Sequence, residues 1–251
     1  MPEFEKYEQS DRIKLLLVGD AGAGKTGLLA TLANAGYNLR IIDLDNKLRI
    51  LRQYLTEDGV KHVRYATLVD KHDQATAYNE VVSLIFTRWK IGEEDLGHIS
   101  TWGPQDILVI DSMTMLGEAA KREAMKTNGK SFKENLSQAD WGCAQRYLQN
   151  MVAYINSNHI KCHIIVITHL EYIDESGTSK AYPNACGRSL NTKVARYFEN
   201  VVRVDTKPND KRVLRTKSDF RMDLMTSAPK TVDAEEEYDL AKLFAKLQGV
   251  K

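Results

Sequence analysis

The chain has 251 residues, with 35 basic against 34 acidic side chains and a formal net charge of +1. Hydrophobic residues make up 43% and charged residues 27%, the balance of a soluble globular protein, which excludes disorder over the whole length and a fibrous repeat. No apolar run approaches the ~18 residues a membrane span needs, and the polar start MPEFEKYEQS is not a secretory signal. Near-neutrality argues against a packaging protein, although a local basic loop can still bind phosphates. Cys143, Cys162 and Cys186 are far apart and odd in number, which fits reduced thiols in a cytoplasmic protein.

Residues 1–11 read as a flexible lead-in. Ile13 to Val18 is an apolar run that stops at Gly19, the pattern of a buried parallel strand. A glycine-rich turn follows, then a helix from Lys25 to Ala35. Leu39 to Leu44 is a second strand, Lys47 to Leu55 a short helix, and His62 to Thr67 a weaker strand. Gln74 to Lys90 repeats apolar residues at helical spacing, and Gly92 to Gly103 reads as a polar loop. Ile107 to Ile110 is a further buried strand, ending at Asp111. Helices are expected over Met113 to Lys126 and Ala139 to Asn156, and a strand over Cys162 to Thr168. Glu171 to Gly187 reads as a long polar loop, and Leu190 to Phe198 as a helix. Val201 to Val204 and Arg212 to Thr216 read as strands joined by a turn at Pro208 to Asp210. Ala234 to Leu247 is an amphipathic helix. Strands alternating with helices argue an α/β fold with a mostly parallel sheet. The expected organisation is a single core over 12–225, with a C-terminal tail over 226–251.

The strongest motif is Gly19-Asp20-Ala21-Gly22-Ala23-Gly24-Lys25-Thr26, a full match to G-x-x-x-x-G-K-[ST] between a strand and a helix. The glycines let the backbone curl so that successive N–H groups face a phosphate, and the helix start adds its positive end. Lys25 is then the residue for the β- and γ-phosphates of ATP, Thr26 a ligand of Mg²⁺, and Gly27 the last residue of the cradle. A partner carboxylate should end another buried strand, and Asp111 does so, beside Thr26 at the metal. Ser112, not Glu, follows Asp111, so the group that activates water must come from elsewhere.

The second strand ends Ile41-Ile42-Asp43-Leu44-Asp45-Asn46. With this run the chain resembles the RecA/RadA recombinase superfamily, in which a carboxylate just after the second strand is the catalytic base in a pattern like I-D-x-E. The resemblance puts Asp45 in that role, one methylene shorter than the usual Glu. It puts His169, at the end of Ile164 to Thr168, where a polar residue senses the γ-phosphate. It implies a RecA-like P-loop core with ATP at subunit interfaces of a homo-oligomer. Arg215 and Lys217, two residues apart on a strand, would then reach the neighbour's nucleotide. The implied DNA loops are the stretch after the sensor strand, with Lys180, Tyr182 and Arg188, and the stretch after Asp111, with Lys130 and Lys133. From Met113 to Lys133 five basic residues face two acidic ones, a local excess that suits phosphate contacts. Phe4 would be an oligomerisation hook.

A core of this size looks like phage-encoded AAA-family proteins grouped with Sak-type single-strand annealing proteins. The function this implies is ATP-dependent binding of single-stranded DNA in annealing or recombination, alongside a single-strand-binding protein and away from membranes. Two other readings fit the residues: a P-loop ATPase acting on protein partners, and a nucleotide-gated module with little turnover.

Overall fold

The computed structural model describes residues 12–71, 74–175 and 177–249. Phe4 lies outside them. β1 (Lys14–Val18) leads through the glycine-rich loop into α1 (Lys25–Leu28) and α2 (Ala30–Asn34), which are continuous through the right-handed Leu29. β2 (Asn38–Asp43), α3 (Arg49–Arg52) and β3 (Val63–Thr67) follow, then α4 (Ala77–Phe86) and a small hairpin of β4 (Trp89–Ile91) and β5 (Glu94–Gly97). β6 (Asp106–Asp111) enters α5 (Met113–Thr127), and α6 (Gln138–Ile155) precedes β7 (His163–Thr168). A second hairpin, β8 (Leu170–Glu175) and β9 (Thr178–Pro183), leads to α7 (Gly187–Asn191). The chain closes with β10 (Asn200–Thr206), β11 (Arg212–Arg215), β12 (Glu235–Glu237) and α8 (Leu240–Leu247).

Eight strands form one sheet in the order β12-β11-β10-β1-β7-β6-β2-β3. The six from β10 to β3 pair in parallel, while β11 and β12 add an antiparallel edge. Alternation along the strands sorts side chains to two faces. Leu16, Val18, Ile42, Leu108, Ile110 and Val166 point to the layer of α4, α5 and α6. Leu15, Leu17, Ile41, Val109, Ile165 and Ile167 point to the layer of α1, α2 and α8. Burial on both faces explains why these strands read as unbroken apolar runs. The α/β core with a mostly parallel sheet expected from the sequence is therefore observed.

Five elements differ from expectation. The helix expected over Gln74 to Lys90 ends at Phe86, and Trp89 and Lys90 lie in β4. Glu171 to Gly187 is largely the β8–β9 hairpin, a two-stranded ribbon separate from the main sheet. Gly92 to Gly103 contains β5 and a 3₁₀ turn at Ile99–Thr101. Leu190 to Phe198 is split between the end of α7 and a 3₁₀ turn at Val194–Tyr197. The tail helix begins at Leu240, because Asp239 caps it by accepting from the N–H groups of Ala241 and Lys242 at 2.9 and 3.1 Å. Upstream, Glu235–Glu237 pairs with β11 as the edge strand.

Candidate nucleotide site

Parallel register brings the ends of four strands to one edge. Val18 pairs with Thr168, Ile167 with Asp111, and Asp111 with Asp43. The loops leaving β1, β7, β6 and β2 therefore meet, at the carboxyl ends of the strands where open α/β sheets bind ligands. Lys25 is 5% exposed, and its ammonium donates to the carbonyls of Gly19 and Asp20 at 2.7 and 2.9 Å. Burial pushes its pKa down to about 8, against the pull of Asp111, Asp20 and Asp45. Thr26 Oγ1 donates to Asp111 Oδ2 at 2.6 Å. Asp111 is buried, and burial is the main cause raising its pKa to about 6, opposed by the Thr26 hydroxyl.

Asp45 sits beside this pair. Ser112 Oγ donates to Asp45 Oδ1 at 2.7 Å, and His169 Nε2 lies 3.4 Å from Asp45 Oδ2. His169 Nδ1 is in turn 3.4 Å from the Lys25 ammonium. Partial burial works against the Asp45 charge, but the contacts with His169 and Ser112 outweigh it and hold the carboxyl below its ordinary range. His169 is itself positioned through Thr114, whose hydroxyl accepts from the His169 N–H at 3.1 Å and donates to the Asn184 carbonyl at 2.9 Å. Asp43 is buried and takes a hydrogen bond from Thr67 at 3.0 Å, so it ties β2 to β3.

The loop itself fits a polyphosphate. Gly22 and Gly24 have φ of +80 and +97°, conformations that glycine adopts without penalty. Beside Gly22 the space is open, as a cradle requires, while a Cβ on Gly19 would lie 2.8 Å from the Val204 carbonyl. Thr26 and Asp111 supply the hard oxygens suited to Mg²⁺ next to that cradle. A family profile described as AAA domain matches residues 11–223. The chain belongs to this AAA domain family. No curated protein matches it. Among solved structures, a prototypical ATPase from the type III secretion system of pathogenic bacteria superposes with a TM-score of 0.50 at 11% identity. The match covers 76% of this chain and 51% of that one, so the AAA domain chain spans about half the length of that protein. At this identity the likeness is one of fold, that of a P-loop ATPase core. Among the described residues no helix is long and apolar enough to cross a membrane.

The remaining expected residues lie elsewhere. Arg215 ends β11 and donates to Asp205 at 2.6 Å, with Glu235 at 4.0 Å; Lys217 is exposed beyond the strand. Lys130 departs furthest from a DNA contact. Its ammonium is 2.6 Å from the buried Asp140, which also accepts from Asn128 and from the Ser137 backbone and hydroxyl. Lys130 thus pins the 128–137 loop to the start of α6. Lys133 is exposed, in the rim of a groove of about 990 Å³ also lined by Arg122, Lys126 and Phe132. Lys180 is half-buried on β9, and Arg188 is exposed with Glu175 at 3.9 Å. Sequence reasoning did not assign roles to Ser112 and Thr114 at the base, or to Tyr172, whose hydroxyl donates to the Asp20 carboxylate at 3.0 and 3.1 Å. Only Ser112 had a visible signal, its place directly after the strand-ending Asp111.

Proposed function

We propose that this AAA domain protein hydrolyses ATP with Mg²⁺ and couples that cycle to single-stranded DNA binding, in annealing or homologous recombination. The observation that supports this best is the convergence of Lys25, the Thr26–Asp111 pair and Asp45 on one sheet edge. Magnesium held by Thr26 and Asp111 would offset phosphate charge. Lys25, released from the carbonyls of Gly19 and Asp20, would pair with the terminal phosphates. Asp45 is ionised at neutral pH, and its carboxylate can orient a water and accept its proton. Ser112 and His169 fix the direction in which it does so. Asp45→Asn is expected to lower turnover by about 10²–10⁴-fold with little change in ATP affinity. Equal turnover in the two proteins removes Asp45 as the base.

The DNA part of the proposal rests on the groove beside α5. Arg122 is 3.9 Å from Asp70, and Lys126 is 3.5 Å from Glu123. Both cations are about half exposed while their carboxylates are largely covered, so the cationic heads stay open to a phosphate in the groove. Arg122 also stands 5.9 Å over the Phe132 ring, which offers a face to a base. Three cations, Arg122, Lys126 and Lys133, give an expected salt slope of about −2 per protomer on single strands. The assay is anisotropy of labelled single-stranded DNA across salt, with and without MgATP. Lys133→Glu should weaken binding; unchanged affinity with MgATP at low salt ends the DNA reading.

A second reading, an ATPase acting on protein partners, is favoured by the β8–β9 hairpin. That hairpin reaches the phosphate loop through Tyr172 and carries Glu171, Asp174 and Glu175. DNA-independent turnover together with no DNA binding would favour it.

A further inference from the structure

The face of α1 that bears Gly24 and Gly27 is covered by flat side chains from distant parts of the chain. Residues three apart share a helix face. A Cβ on Gly24 would meet the Tyr238 hydroxyl at 2.3 Å and the Arg212 guanidinium at 3.0 Å. A Cβ on Gly27 would meet the Tyr54 ring at 3.0 Å. Glycine at both places therefore lets these groups approach the backbone of the phosphate loop and the turn after it. Tyr238 donates to the Gly24 carbonyl at 2.5 Å, and Arg212 stands 5.6 Å over the Tyr238 ring.

Two of these side chains stay partly open to solvent beside the loop. Tyr54 is 49% exposed beside Gly27, in the turn after the loop. Arg212 has no carboxylate partner among the described residues; it is half-buried against Tyr238, with which it also shares a side-chain hydrogen bond. The neighbouring Arg215 and Arg203, by contrast, both face Asp205. A guanidinium plane with one side on Tyr238 and the other open, and a half-exposed phenol ring, are groups on which nucleobases stack.

We infer that Arg212 and Tyr54, braced by Tyr238, form the subsite for the nucleoside end of the bound nucleotide. This rests on the nucleotide reading above. If the loop 19–26 holds the phosphates, the rest of the ligand must leave past residues 24–27, where this collar stands. The collar contacts the nucleoside, and the loop contacts the phosphates. The two can therefore be separated by a ligand that has only phosphates.

The test is calorimetric titration of the full chain with MgATP and, separately, with magnesium tripolyphosphate. The proteins compared are the parent, Arg212→Ala, Arg212→Lys and Tyr54→Ala. Arg212→Lys keeps the charge and loses the plane. All three variants should weaken MgATP about tenfold, the scale of one lost stacking contact, and leave tripolyphosphate within about twofold. Retained tripolyphosphate binding also reports that each variant is folded. Equal losses for both ligands would mean that the collar only supports the loop, and would overturn the inference. So would unchanged MgATP affinity, or a parent that binds the two ligands equally well. A parent that binds neither ligand refutes the nucleotide reading itself, and this inference with it.

Discussion

Replacing Asp111 by asparagine removes one buried negative charge while keeping the side chain's shape and the oxygen that accepts from Thr26. Asp111 is 3% exposed, and burial, helped by Asp45 and Asp43 and opposed by Thr26 and Lys25, raises its pKa from 3.8 to about 6. The folded protein therefore holds this proton more tightly than the unfolded chain does. Ionisation costs the fold nothing below about pH 4, an increasing amount between about pH 4 and 6, and its full amount above that. The gap between 3.8 and about 6 corresponds to about 3 kcal/mol. Without magnesium or nucleotide, Asp111→Asn should thus be more stable than the parent at pH 8. The expected rise in melting temperature is roughly 6–12 °C at the scale for a chain of this size. The rise should shrink steadily as pH falls and vanish near about pH 4. Urea or thermal unfolding in a chelating buffer series from acid to pH 8 measures it. An offset that does not change with pH would refute the reasoning, as would a variant less stable than the parent at pH 8. The same variant should lose magnesium-dependent nucleotide affinity, the trade expected where a function keeps a costly charge in place.

Lys25, with its pKa pushed down to about 8 by burial, is partly neutral in mildly alkaline solution, and polyphosphate favours its charged form. MgATP binding at about pH 8.5 should therefore take up a fraction of a proton, read as a buffer-dependent binding enthalpy; equal enthalpies in two buffers of different ionisation heat would count against it. Ser112→Ala removes the hydroxyl that donates to Asp45 at 2.7 Å. Turnover should fall about tenfold at constant ATP affinity, and the acid limb of the pH–rate profile should move up, since a bond to the charged form is lost; an unmoved limb denies Ser112 its positioning role. Tyr172→Phe removes the hydroxyl that donates to Asp20 at 3.0 and 3.1 Å. Amide exchange across β8 and β9 should quicken, and unchanged exchange would show that this bond does not hold the hairpin down.

Local chemistry made part of this molecule readable and hid the rest. Strands such as Ile164 to Ile167 are buried on both faces and appear as apolar runs whatever their neighbours. Asp111 at its strand's end, and Asp45 and His169 just past theirs, stand out because a strand's end in a parallel sheet is where chemistry collects. β8 and β9 were missed because Ile173, Ala181 and Pro183 are the buried residues of this short ribbon, too few among polar neighbours to show as an alternation. Lys130 carried the opposite hazard. A lysine in a basic stretch looks solvent-directed, and only the tertiary fold reveals the buried Asp140 ten residues away that claims it. Arg212 and Tyr238 approach Gly24 from far along the chain, Tyr238 from 214 residues away, a distance no local pattern spans.

The shortened carboxylate at Asp45 finds its explanation in Ser112. An aspartate reaches one methylene less far than a glutamate, so its position depends more on what grips it. Here β2 and β6 are adjacent and in register, with Asp43 opposite Asp111. The residues just past their ends, Asp45 and Ser112, therefore emerge side by side and join at 2.7 Å. The position after Asp111 thus holds a donor that fixes the Asp45 carboxylate beyond the neighbouring strand. With His169 at the second oxygen, both lobes of the Asp45 carboxylate are constrained. That costs basicity, because a carboxylate stabilised in its charged form accepts a proton less readily. In the reaction proposed above, such a carboxylate would orient water more than deprotonate it strongly. Its turnover should respond more to changes in Ser112 and His169 than to lengthening the base itself. Asp45→Glu is therefore expected to lower turnover, by pushing the carboxylate out of register with Ser112. A faster Asp45→Glu enzyme would mean that reach, and not grip, limits the reaction.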